Sequence, residues 1–143
     1  MTDLTDKNWM AIGESDDPNA QIESFEAAAA VTKGDPVYFS ANHKVSPAAA
    51  AQECIGIAVK TAAQGAQCPV LTRGRVKVKA GGVITRGKAV YGADSSKRIL
   101  MLADQAVNES GSTSYSIYYN RKLGTALETT SAADDLLFII VER

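Results

Sequence analysis

The chain has a single histidine, His43, and two cysteines, Cys54 and Cys68, in 143 residues. With one imidazole, most Ser-His and Cys-His mechanisms and most metal sites drop out. Two thiols make neither a disulfide framework nor a four-ligand zinc site. Aromatic residues are scarce at 6%. No apolar run approaches the ~18 to 20 residues that cross a bilayer. The opening residues are acidic rather than basic and then apolar, so neither a membrane span nor a secretory leader is expected. What is present suits one ordinary domain: 45% hydrophobic residues and 22% charged ones, enough apolar surface for a real core. This composition points away from enzymes.

Net charge is −1, and it conceals a segregation. Residues 1–30 carry seven acids (Asp3, Asp6, Glu14, Asp16, Asp17, Glu23, Glu26) against Lys7 alone. Residues 31–98 hold eleven bases and three acids, and residues 99–143 hold three bases and six acids. Either the acidic ends fold back on the basic middle, or one block docks on a partner of opposite sign.

Residues 1–26 read as an arm, interrupted by the breaker cluster Ser15-Asp16-Asp17-Pro18-Asn19. Trp9, Met10, Ile22 and Phe25 are its scattered apolar points, too few for a core of their own. The expected resolution is docking on a cationic surface of a neighbouring subunit or of another shell; the competing reading is packing on its own subunit.

From residue 27 to 143 the pattern is one β domain: short β-prone runs separated by turns, at a spacing that predicts an all-β barrel or sandwich. Val37-Tyr38-Phe39, Ile55 to Val59, Val70-Leu71-Thr72, Ala89-Val90-Tyr91, Tyr115 to Tyr119 and Leu136 to Val141 are the clearest runs. Ser46-Pro47 followed by four alanines is the exception and predicts a short helix.

The most informative feature is an internal repeat, about 31–73 and 84–143. Val31-Thr32-Lys33-Gly34-Asp35-Pro36-Val37-Tyr38 returns as Ile84-Thr85-Arg86-Gly87-Lys88-Ala89-Val90-Tyr91. Ile55-Gly56-Ile57-Ala58-Val59-Lys60-Thr61 returns as Leu123-Gly124-Thr125-Ala126-Leu127-Glu128-Thr129. In each copy a glycine after a basic residue suits a tight turn, and a second glycine inside the apolar run suits a close backbone approach. Two such units would bury one shared core.

Candidate chemistry is thin. Gly82 to Ala89 nearly spells a phosphate loop, but Ala89 stands where a magnesium-binding hydroxyl belongs, and β-prone Val90-Tyr91 follows where a helix should begin. Arg73, Arg75, Lys77 and Lys79 alternate with small or apolar residues, so with period 2 the four cations share one strand face. That face is either simply solvated or a ridge that meets acidic protein or phosphate. No aromatic lies within it, so a nucleic-acid platform is not expected and acidic protein is the better match. His43 belongs to a polar turn, and the cysteines read as buried thiols. Asn108-Glu109-Ser110 matches a glycosylation sequon. Tyr115, Ile117 and Tyr119 share a face suited to packing. Nothing supplies a nucleophile with its base.

On the motifs V-T-K-G-D-P-V-Y, I-G-I-A-V, R-G-R-V-K-V (73–78), I-T-R-G-K-A-V-Y and L-G-T-A-L-E, the chain resembles the small phage capsid decoration or cement proteins. Some members of that family are catalogued as predicted RecA/RadA recombinases. The resemblance covers about four fifths of the chain, and the acidic arm departs from it. It implies a non-enzymatic β-rich virion protein, without cofactor or metal. Such a protein would bind the major capsid protein on the outer surface of a tailed-virus head and stabilise the head. Similarity in role to the lambda-type head decoration protein further implies a homotrimer. Contact with capsid or subunit would fall to Trp9, Met10, Ile22, Phe25, Arg73, Arg75, Lys77 and Lys79. The alternative is a phage single-strand DNA-binding or recombination accessory protein using the 73–79 ridge.

Overall fold

A computed structural model describes residues 10–102 and 121–142. Trp9, the Asn108 sequon and the Tyr115 to Tyr119 run lie outside the described residues. Nine strands follow one another: β1 (Gln21–Ala27), β2 (Pro36–Ala41), β3 (Lys44–Pro47), β4 (Gly56–Ala58), β5 (Gln67–Lys79), β6 (Ala89–Gly92), β7 (Ile99–Met101), β8 (Gly124–Ala126) and β9 (Leu136–Glu142). They form one sheet in the order β1-β3-β2-β4-β5-β9-β8-β6-β7, and β1 also pairs with β5. That extra pairing closes the first five strands into a ring, so the all-β barrel expectation holds.

The repeat is physical, and it extends further back than the sequence suggests. In the first unit Asp35 N–H bonds to Thr32 O (3.0 Å), Gly34 N–H to Ala58 O (2.7 Å) and Ala58 N–H to Asp35 O (2.9 Å). In the second, Lys88 N–H bonds to Thr85 O (3.1 Å), Gly87 N–H to Ala126 O (2.7 Å) and Ala126 N–H to Lys88 O (2.9 Å). Gly34 and Gly87 sit third in these turns with φ of 95° and 85°, a conformation that glycine adopts without strain. Thr61 and Thr129 hydroxyls accept the N–H groups of Lys33 and Arg86.

The match continues into β5. Ala27 N–H bonds to Ala66 O, and Gly65 N–H to Ala27 O; Ala80 N–H bonds to Asp135 O, and Asp134 N–H to Ala80 O. Glu26 pairs with Gln67 as Lys79 pairs with Leu136. The second half of β5 is therefore to unit 2 what β1 is to unit 1. Its ring, β5-β9-β8-β6-β7, closes through a parallel bridge between Ala80 and Ile99, as β1 meets β3 in parallel at Ala27 and Val45. The units run from about residues 21 to 73 and 74 to 142, and β5 belongs to both.

Each ring has its own apolar filling, and equivalent positions supply it. Val31, Val37, Val45, Ala58, Cys68 and Val70 fill the first; Ile84, Val90, Ile99, Ala126, Leu137 and Ile139 fill the second. Ile57 and Leu71 are register partners on the other face of β4 and β5, and they join the second cluster together with Ala48 and Cys54.

Two expectations are corrected. No α-helix occurs among the described residues. Ser46 and Pro47 instead belong to β3, where Pro47 pairs with Val37, and the alanines run on as an irregular seam between the units. Ala93 N–H bonds to Ala50 O (2.8 Å) and Gln52 N–H to Gly92 O (3.1 Å). One or two helical turns are marginal alone, and these tertiary bonds outweigh them. The second correction concerns the arm: residues 21–26 are strand, so the segment outside the rings ends at residue 20.

Candidate interaction surface

The cationic strand is not an open ridge. Residues 13–17 of the same chain lie along it, with Gly13 N–H bonding to Lys77 O (2.7 Å) and Lys77 N–H to Glu14 O (3.0 Å). Asp17 accepts the Arg75 N–H through Oδ2 (3.3 Å) and the Asn19 N–H through Oδ1 (2.9 Å). Asp16 Oδ1 stands 3.4 Å from Arg75 Nε, and Glu14 pairs with Lys33 at 3.6 Å. This strap covers an edge that would otherwise expose unpaired N–H and C=O groups. Ile12 seats against Gly34, whose added Cβ would stand 2.5 Å from Ile12 Cγ1.

Each residue singled out in the sequence now has a place. Met10 is buried, at 4% exposure. Phe25 is half-buried and meets Phe39 edge to face at 5.2 Å between ring centres. Ile22 is exposed, at 52%. Arg73 is exposed, while Arg75 and Lys79 are half-buried. Lys77, expected on a face either solvated or docked on a partner, is only 5% exposed, with its ammonium 5.8 Å from the centre of the Phe138 ring. The chain's own residues 13–17 bond the backbone of Lys77 and set Asp16 and Asp17 against Arg75. From sequence alone, Ser15 to Asn19 reads as a breaker cluster. The acids in that cluster, opposite four bases, were the available signal.

Asp94 organises the β6–β7 turn. It is partly buried, which acts to raise its pKa, but bonds from Arg98 N–H, Arg98 Nε (2.8 Å) and Ser96 N–H hold it below the ordinary carboxylate value. Burial moves Asp35 the other way, against the Thr32 N–H and Lys97, whose ammonium is 4.0 Å away. The Cys68 thiol is pushed up by burial and by Asp35, which disfavours its thiolate, and both cysteines are buried thiols. Among the described residues no group of three His, Cys, Asp or Glu side chains could hold a metal. The open groove beside Gly74 is lined by Asp17, Arg73 and Glu142.

Further apolar groups lie outside the rings. On β9, Leu137, Ile139 and Val141 point inward, and Leu136 on the opposite face is 42% exposed. Leu127, 38% exposed, bonds through its N–H to Phe138 O on that strand. Phe39 and Val83 are exposed elsewhere.

Two small β-rings share one strand, and the chain's own acids strap that strand at Arg75 and Lys77. The chain belongs to the phage cement protein family, whose model matches residues 26–142. It is a structural, capsid-associated protein of the virion. Among solved structures it is similar to the head fiber gp8.5 N base in bacteriophage phi29, with a TM-score of 0.54 at 15% identity. That similarity covers 86% of this chain and 94% of the other, and it shows a shared fold. No curated protein sequence matches the chain.

Proposed function

We propose that this protein is a non-enzymatic cement protein that binds the major capsid protein on the outer surface of a tailed-virus head, as a homotrimer, and stabilises the head. The observation that carries the reading is the extent of the family match. It spans 26–142, nearly the whole of the two rings, and leaves out the strap. Among the residues first singled out, Ile22, Arg73 and Lys79 keep exposure enough to meet a partner, and Phe39, Val83, Leu127 and Leu136 join them.

The DNA-binding alternative is not favoured. Lys77 is buried and Arg75 faces Asp16, so the ridge offers few free cations to phosphate. The test is co-sedimentation with purified heads stripped of the protein, together with the oligomer mass and the thermal release of the packaged genome. Saturable co-sedimentation of a trimer that raises the release temperature is expected. Failure to bind heads, or steeply salt-dependent DNA retention in its place, would overturn the reading.

A further inference from the structure

The repeat places one strand edge in two circumstances. In unit 2 the edge residue is Lys77, and Gly13 and Glu14 lie on it through two backbone hydrogen bonds. The equivalent position in unit 1 is Ser24 of β1. Ser24 is the register partner of Pro69, which has no N–H and whose C=O accepts the Val59 N–H. Three residues on, Ala27 directs its own N–H and C=O to Ala66 and Gly65, in the turn just before β5. Alternation along the strand therefore turns the N–H and C=O groups of Ser24 and Ile22 away from β5. β3 does not reach them, because it pairs with β1 only at Glu26 and Ala27. Among the described residues no further strand pairs with this edge, Ser24 is exposed, and Ile22 is 52% exposed.

The chemistry of the two edges differs in sign. Where unit 2 has Arg75, Lys77 and Lys79, unit 1 has Ile22, Ser24 and Glu26. Glu26 is paired with Lys44 at 3.0 Å, and Glu23 is an exposed carboxylate with no ion pair to another described residue. The acidic strap of a second copy would bring Glu14, Asp16 and Asp17 against Glu23 and Glu26, so it does not suit this edge. We propose that the β1 edge at Ile22 to Ser24 is a strand-addition site for an extended segment of a partner protein that alternates apolar and cationic side chains. Main-chain bonds would supply affinity, and Ile22 and Glu23 would supply choice. This rests on the cement reading only for the partner's source, the capsid shell.

The experiment is backbone-amide NMR on the full chain, titrated with an alternating Lys-Val decapeptide and with its Glu-Val counterpart. The Lys-Val peptide is expected to shift the Ile22, Glu23 and Ser24 amides and slow their hydrogen exchange, and the Glu-Val peptide is not. Ser24→Pro removes an N–H that the ring does not use and blocks strand addition. It should weaken peptide binding at least about tenfold, the loss expected from one or two backbone bonds. Ser24→Lys places a cation on the edge without touching the backbone, and it should weaken the same peptide while leaving the melt unchanged, so the test stands even if the proline variant unfolds. No response at 22–24, equal response to both peptides, or full binding by Ser24→Lys would overturn the proposal. Peptide binding without co-sedimentation on heads would leave the edge intact and refute the cement reading instead.

Discussion

Replacing Gly124 with alanine tests the close approach of β8 and β9 directly. Gly124 is the register partner of Val141. A Cβ added there would overlap the Ile140 carbonyl oxygen, stand 2.8 Å from the carbonyl carbon and lie 3.1 Å from Val141 Cα. All three obstacles are backbone, so no side-chain rotation relieves them and the strands must separate. The repeat supplies an internal duplicate: a Cβ on Gly56 would overlap the Leu71 carbonyl oxygen and stand 2.9 Å from Val70 Cγ1. Overpacking of this kind costs about 3 kcal/mol, at the upper end of the usual range. For a chain of this size that corresponds to a melting temperature lower by about 10 °C. Gly82→Ala is the matched control, because an added Cβ there meets nothing within 4 Å. Its effect should stay within about 0.5 kcal/mol. Circular-dichroism melts of the three variants decide the matter. A Gly124→Ala protein that melts within about 2 °C of the parent, or a Gly82→Ala protein that falls as far as Gly124→Ala, would refute the reasoning.

Two further outcomes follow from the same geometry. Deleting residues 1–20 should leave both rings folded with a lower melting temperature, whereas deleting 1–26 removes most of β1, opens the first ring and should make unit 1 readily cleaved in limited proteolysis; equal protease resistance of the two truncations would contradict the ring closure. Asp94 has a folded-state pKa below its unfolded value, so its contribution to stability is present above the ordinary carboxylate range and is lost as pH falls through the depressed value. Asp94→Asn should therefore flatten the acid limb of the melting-temperature profile, and an acid limb identical to the parent's would count against the Arg98 and Ser96 bonds.

How much of this was legible depended on how local the physics was. The paired turns at Thr32 to Asp35 and Thr85 to Lys88 were readable because a left-handed glycine and its turn bond are fixed within a few residues. The glycines at 56 and 124 announced a close approach for the same reason, although the strand they approach could not be named. The second half of β5 was not readable as a repeat of β1. Gln21 to Glu26 and Gly74 to Lys79 share only their ladder and the alanine that follows each, and ladder bonds leave no mark on side-chain identity. The alternation at 73–79 identified a face but not its cover, because period 2 says which residues point together and nothing about what lies on them. Phe25 and Ile22 were assigned to the arm because two apolar residues in a polar stretch make a weak strand signal, while their pairing with Cys68 and Leu71 is a contact across more than forty residues. The alanine run misled because helix propensity was the only local clue, and Pro47 was held in β3 by partners far away in sequence.

β5 also bears on how the molecule carries force. The thirteen residues from Gln67 to Lys79 are a member of both rings, so no flexible linker separates the units. A pull that draws unit 1 from unit 2 along this strand loads the β1 ladder on one half and the β9 ladder on the other. Both ladders are antiparallel and run along the pull, so their hydrogen bonds are sheared together instead of being unzipped one at a time. The strap at residues 13–17 spans the same stretch and adds a third lane beside Arg75 and Lys77. A protein fastened to a shell at both units would behave as a stiff tie across whatever seam it bridges, resisting stretch most strongly along the axis of this one strand.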